Sequence, residues 1–188
     1  MTSIIEPIES LIARGVTHAL TLWPEWQFPI VALDKRVENR SWACPQAFIS
    51  KPIALHFGKS IGGRPGREAK VEGCRNIVFM ARHAGWTVTQ VGPWEIEFKR
   101  GGAIHLFDAD KIATCAIVCI VKIVAVTRSG TVRREDPWYG GECGWRFDLV
   151  ETLATPIPCK GAQGLWPLHS LLGVDAGEPR TGAAWGLS

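Results

Sequence analysis

The sequence predicts an α+β fold, a small mixed β-barrel with peripheral helices, and three observations carry that expectation. Residues 113–127 are β-branched and almost wholly apolar, the pattern of a long central strand buried within a closed sheet. Shorter apolar runs are separated by turn residues and do not alternate with helical repeats, which suits a barrel better than a doubly wound sheet. One long amphipathic segment, residues 67–84, interrupts them.

The elements follow in order. Ile4, Ile5, Ile8, Leu11 and Ile12 share one helical face and Gly15 supplies a stop, so residues 1–15 form an N-terminal helix. Residues 16–23 read as a strand. Residues 24–33 read as a short helical turn opened by Pro24, with Trp26, Ile30 and Leu33 near helical spacing and Pro29 bending it. Residues 37–42 and 52–57 are the next strands, and residues 60–66 (Ser-Ile-Gly-Gly-Arg-Pro-Gly) form a turn-rich loop. Val71, Cys74, Val78, Met80 and Ala81 then recur at helix spacing until Gly85. Residues 86–100 look rich in hairpins, turned at Gly92-Pro93 and closed at Gly101-Gly102. Residues 128–141 form a polar loop, and residues 145–150 another strand. The barrel domain is expected over residues 16–170, followed by a loosely ordered Gly/Ala/Pro-rich tail, residues 171–188.

A chain of 188 residues with 46% hydrophobic content is enough for one domain with a real core. The net charge of +3 is mild, but its distribution is uneven. Residues 33–82 hold ten Lys/Arg (35, 36, 40, 51, 59, 64, 67, 70, 75, 82) against four Asp/Glu (34, 38, 68, 72). Such a region is the electrostatic footprint expected for phosphate contact, although a solvated basic surface would give the same count. The N-terminus carries Glu6 and Glu9 and lacks a secretory pattern, and no segment reaches the length of a membrane span. A cytoplasmic protein with six reduced Cys is therefore expected.

The run Lys35-Arg36-Val37-Glu38-Asn39-Arg40-Ser41-Trp42 carries the functional signal. As a strand it would set Glu38, Arg40 and Trp42 on one face. A carboxylate, a guanidinium and an indole make a poor core surface but suit a cleft that stacks and reads a nucleobase. A surface ion pair beside a half-buried Trp is the plainer alternative. Of the nine Trp, Trp86, Trp94 and Trp166 are expected in the core. Trp26, Trp42 or Trp145 could instead line a pocket where a base stacks. Lys35 can be a solvated turn residue, a phosphate contact, or a catalytic amine with Glu38 as proton shuttle.

Other motifs fail. Gly58-Lys59-Ser60 lacks the Gly that a phosphate-binding loop needs, since position 53 is Ile. Gly58-Lys59-Ser60-Ile61-Gly62 matches a nucleophile elbow, yet Gly63, Arg64, Pro65 and Gly66 separate it from any helix. Cys115 and Cys119 are expected as small core residues on one strand face. The five His show no metal spacing, and no metal or cofactor is indicated.

Three flanking blocks sharpen the picture: Leu20-Thr21-Leu22-Trp23-Pro24-Glu25-Trp26, then Ile53-Ala54-Leu55-His56-Phe57-Gly58-Lys59, and later Pro156 to Leu168. With the Lys35–Trp42 run they resemble the ASCH domain family, a branch of the PUA-like superfamily of small β-barrels, over residues 17–168. Its hallmark is G-x-K-x-x-E-x-R; Lys35, Glu38 and Arg40 fill the K, E and R positions, and Leu33 stands where the family carries Gly. The resemblance implies nucleic-acid or nucleoside handling. Some members resemble amidohydrolases acting on an acylated cytidine, or nucleases, but the amidohydrolase-type members carry Thr where this chain has Glu38. The expectation is a nucleic-acid-binding protein, with RNA favoured over DNA and no membrane. Lys35, Glu38, Arg40, Trp42 and Trp26 would form the base cleft, and Lys59, Arg64 and Arg67 would hold phosphates. The rival classes are a hydrolase using Lys35 and Glu38, and an adaptor for a protein partner.

Overall fold

The computed structural model describes residues 4–128 and 136–173. The predicted loose tail from residue 174 onward, and residues 129–135 of the predicted polar loop, lie outside the described residues. Helix α1 (Ile5–Ala13) buries Ile8 and Leu11, as its apolar spacing requires. Strand β1 (His18–Leu22) leads into a 3-10 turn at Pro24–Trp26 and helix α2 (Gln27–Ala32). Strands β2 (Val37–Arg40) and β3 (Pro52–Phe57) follow, and the amphipathic segment folds as α3 (Arg67–His83).

The rest of the chain is β-rich. Strands β4 (Thr87–Gln90), β5 (Glu95–Arg100) and β6 (Ala103–Asp108) form their own three-stranded sheet. Here the expectation is corrected, because Gly101-Gly102 does not close the stretch. Both residues have positive φ, 56° and 86°, and Arg100 pairs with Ala103, so they make a two-residue hairpin turn into β6. Strand β7 (Ala116–Arg128) is the long apolar strand, and β8 (Cys143–Pro158) runs to 16 residues, far beyond the predicted 145–150. Its second half includes Pro156 and Pro158. They are tolerated because β2 pairs only with residues 143–146 of β8, which leaves the later part of β8 as an edge strand. Strand β9 (Leu165–Pro167) and a 3-10 turn at Leu168–Leu172 end the described chain.

The main sheet has the order β2-β8-β7-β3-β1-β9, with β1 and β3 parallel and the other pairs antiparallel. Register shifts along β7 and β8 at three places bend the pair, and the sheet curls into a half-barrel. No strand pairing joins β2 to β9 among the described residues, so the sheet expected to close is open here.

Alternation explains why β1 and β3 are buried on both faces. Leu20, Leu22, Ile53, Leu55 and Phe57 point into the concave core with Val121, Trp145 and Phe147. The small Ala19 and Ala54 point the other way, where Ile8, Leu11, Trp166 and Leu168 pack. A third core lies between α3 and the small sheet, built on Ile77, Ala81, Trp86, Phe98 and Phe107. Trp86 and Trp166 are buried as expected, whereas Trp94 is only partly so. Cys119 is buried with its thiol pushed up to about 12 by desolvation. Cys115 departs from the core expectation: it sits one residue before β7 with φ of 50° and is exposed. None of the six Cys is in a disulfide, and no helix among the described residues is long and apolar enough to cross a membrane.

Candidate functional site

The turn between α2 and β2 sets the site. Leu33, where the resembled family carries Gly, is wholly buried, and the positive φ of 58° falls on Asp34. The amides of Leu33 and Lys35 both donate to the Pro29 carbonyl, at 3.1 and 3.0 Å. This tight return aims Lys35 inward, where 1% of the residue is exposed and its Nζ lies 5.4 Å from the Trp26 ring centroid. Nζ donates to the Val37 carbonyl and lies 3.5 Å from Glu38 Oε2. The other carboxylate oxygen, Oε1, is 3.1 Å from Arg40 Nε, although this buried Nε is not aligned as a hydrogen bond. Arg40 Nη2 donates to the Thr21 carbonyl at 2.8 Å.

Glu38 thus stands between two cations. Burial pushes the Lys35 amine below the usual lysine range, while the neighbouring Glu38 carboxylate pulls it back up. Glu38 and Arg40 come together as strand alternation predicts. Trp42 does not share their strand, because β2 ends at Arg40. Its ring instead packs edge-on against Trp145, with centroids 4.5 Å apart, and its carbonyl accepts the Trp145 indole N–H at 3.0 Å. Trp145 itself is fully buried. It is core and does not wall a pocket, which corrects that alternative.

The predicted residues fall into two neighbouring recesses. A small one of about 280 Å³ is lined by Trp26, Lys35, Glu38, Asn39, Asn76 and Phe79, among others. A larger groove of about 710 Å³ is lined by Trp23, Arg40, Trp42, Lys59, Lys160 and residues 161–164, among others. The Glu38–Arg40 contact links the two, since each partner lines one of them.

A buried polar network builds the groove wall at His56. Its Nε2 lies 3.1 Å from the Cys159 carbonyl, which can only accept, so Nε2 carries the proton. Nδ1 is then the acceptor for the Thr21 hydroxyl at 3.2 Å, and that hydroxyl in turn accepts the Trp166 indole N–H at 3.0 Å. Burial lowers the His56 pKa, in keeping with a neutral ring. Gly161 lies against this ring so closely that a Cβ there would come within 2.3 Å of His56 Cε1.

A second buried carboxylate shapes the loop after β3. Glu25 is fully buried and takes the Gly62 amide on both oxygens, at 3.1 and 3.0 Å. Desolvation raises its pKa. The loop carrying Lys59 is thereby tied to the turn carrying Trp23 and Trp26.

The remaining predicted phosphate contacts spread out. Lys59 is exposed and lines the groove. Arg64 and Arg67 are exposed on the loop and at the start of α3, outside both recesses, and Arg64 pairs with Glu72 at 3.2 Å. Of the basic residues in the 33–82 stretch, Lys35, Arg36, Arg40, Arg64 and Lys70 each face a carboxylate. Sequence reasoning missed Trp23, Lys160, Asn76 and the 161–164 loop. The Lys160-Gly161 pair sat inside one of the flanking blocks and was the available signal. Among the described residues no group of three or more His, Cys, Asp or Glu could hold a metal ion. In comparisons with known proteins, no protein-family model matches the chain and no curated protein is significantly similar to it.

Proposed function

We propose that this protein binds single-stranded nucleic acid, RNA in preference to DNA, through the groove between β1, β2 and the 161–164 loop. One observation carries the proposal: Arg40, Lys59 and Lys160 share that groove with Trp23 and Trp42, and no Asp or Glu lines it. Cations hold a phosphate backbone, and indoles offer faces on which any unstacked base can rest. Trp23 is 52% exposed, a large aromatic surface that folding leaves in water. Arg40, anchored by Glu38 and the Thr21 carbonyl, is a preorganised donor for a base carbonyl or phosphate oxygen. The preference for RNA, the PUA-like identity of the half-barrel and a cytoplasmic setting with reduced thiols rest on the family resemblance and on the sequence.

Titration of the purified protein with single- and double-stranded RNA and DNA at two salt concentrations tests the proposal. Affinity for single-stranded RNA should be highest and should fall with salt at a log–log slope of about −0.7 per phosphate neutralised. Joint reversal at Lys59 and Lys160 should abolish it. No binding at low salt would refute the proposal and leave an adaptor for a protein partner as the better account.

A second reading, a hydrolase acting on RNA or a modified nucleoside, is favoured by a single observation: the Lys35 amine is desolvated beside Glu38 in the small recess. Against it, Nζ already donates to the Val37 carbonyl and to Glu38. Turnover of acylated cytidine or RNA that vanishes in both Lys35→Ala and Glu38→Gln, with folding preserved, would establish that reading.

A further inference from the structure

We infer that the groove between α3 and the β4–β5 hairpin is a second contact for the same nucleic-acid strand, which extends from the groove at Arg40 across Phe79. The inference rests on the binding reading proposed above and assigns a separate surface to it. The α3 groove encloses about 850 Å³ and is lined by Arg75, Phe79, Arg82, His83, Trp94 and Gln90, with apolar residues at its base and no Asp or Glu.

Arg75, Phe79 and Arg82 are spaced four and three residues apart, so they stand on one face of the helix. Phe79 is 71% exposed, the most exposed of the large hydrophobic residues among those described. The helix dipole gives a sufficient account of Arg82 and His83, which sit in the last turn of α3. It does not account for Arg75, which lies near the middle of the helix and has no ion pair among the described residues. The acidic residues Glu68 and Glu72 lie toward the N-terminal end, where Glu72 is taken up by Arg64. The C-terminal half of the exposed face is therefore basic and aromatic.

Continuity selects the occupant. Phe79 lines both this groove and the small recess with Trp26, Lys35 and Glu38, and Glu38 contacts Arg40 of the larger groove. Between the two grooves stands the buried Lys35–Glu38 pair, so the exposed aromatic and cationic groups lie at the two ends, Trp23 and Lys59 in one groove and Arg75, Phe79 and Arg82 in the other. Lys70 lies over the Trp94 ring, 4.4 Å from its centroid, so the base-stacking surface here belongs to Phe79. A polyanion with flat apolar faces, a single strand of nucleic acid, satisfies both features of the groove. An acidic peptide would satisfy only the charge.

The test uses the full chain, the variants Arg75→Glu/Arg82→Glu and Phe79→Ala, RNAs of about 5 and about 20 nucleotides within and beyond the span of one small site, and an oligoglutamate peptide. Unchanged thermal unfolding confirms that the exposed substitutions leave the fold intact. The short RNA should bind all three proteins alike. For the long RNA, the double reversal should weaken binding at least tenfold and flatten the salt slope by about 1.4, two phosphates at 0.7 each. Phe79→Ala should lose about tenfold, within the range of one stacked base. Long-RNA binding equal in all three proteins would overturn the inference while leaving the first groove in place. Equal losses on short and long RNA would overturn it too, because they would assign the effect to the first groove. Peptide binding that depends on Arg75 and Arg82, without an effect on RNA, would make this a protein-docking face. If the unaltered protein binds no RNA at low salt, the reading beneath the inference fails with it.

Discussion

Replacing Glu38 by Ala leaves the Lys35 amine with the Val37 carbonyl as its one hydrogen-bond acceptor among the described residues, at a side chain 2% exposed. Arg40, with 21% of its side chain exposed and a bond to the Thr21 carbonyl, can turn to water. The loss therefore falls on Lys35. Breaking a buried pair from one side costs about 3–5 kcal/mol. The amine can escape by losing its proton, which from a reference pKa of about 10.4 costs about 4.6 kcal/mol at pH 7 and sets a ceiling. A loss of about 3–4 kcal/mol is expected. With a urea m-value of about 2 kcal/mol/M, the midpoint should drop by about 1.5–2 M at constant m. The loss should also shrink as pH rises. The folded pKa of Lys35 lies below its unfolded value, so the unfolded chain binds more protons and stability increases with pH between the two. Lys35→Met/Glu38→Leu, which removes both charges, should regain most of the stability, since apolar replacements of buried pairs are often neutral or better. Urea titrations at pH 7 and pH 9.5 check this. A Glu38→Ala loss under about 1 kcal/mol, or a double variant no better than the single, would refute the buried-pair account.

Further outcomes follow from the same contacts. Glu25 has a folded pKa raised by burial, so its share of stability is full below the usual carboxylate value and is lost as pH rises through the folded value. Glu25→Gln should flatten that part of a stability–pH curve, and an unchanged curve would contradict the assignment. Gly161→Ala puts a Cβ 2.3 Å from His56 Cε1 and 2.8 Å from Thr21 Oγ1. It should cost about 1–3 kcal/mol by overpacking and weaken RNA binding, read by thermal unfolding and titration. Trp23→Ala removes an aromatic ring 52% exposed. It should leave the melting temperature nearly unchanged and weaken RNA binding by about 1–3 kcal/mol.

Local signals made much of the fold legible. Pro52–Phe57 and Arg67–His83 form their elements close to where apolar periodicity and glycine stops placed them. The misses have tertiary causes. Pro156 and Pro158 argue against a strand unless one knows that β8 has lost its neighbour there. Gly101-Gly102 reads as the end of the stretch until β6 is seen to pair with β5. At the site, Glu38 beside Arg40 was legible because strand period is local. The depth of Lys35 was not, because the turn at Asp34 and the ring of Trp26 bury it. The groove needed Lys160 and Gly161 from the far end of the chain, brought beside β1 and β3 by β9 and by the Cys159–His56 bond. No spacing rule connects those positions.

The most direct measurement is ultraviolet cross-linking of the protein to single-stranded RNA carrying a photoreactive uridine, with adducts located by peptide mass spectrometry. The proposed function predicts adducts on the peptides that bear Trp23, Trp42, Lys59 and Lys160, the walls of one groove, and their disappearance at high salt. Adducts confined to other surfaces, or none at low salt, would contradict it.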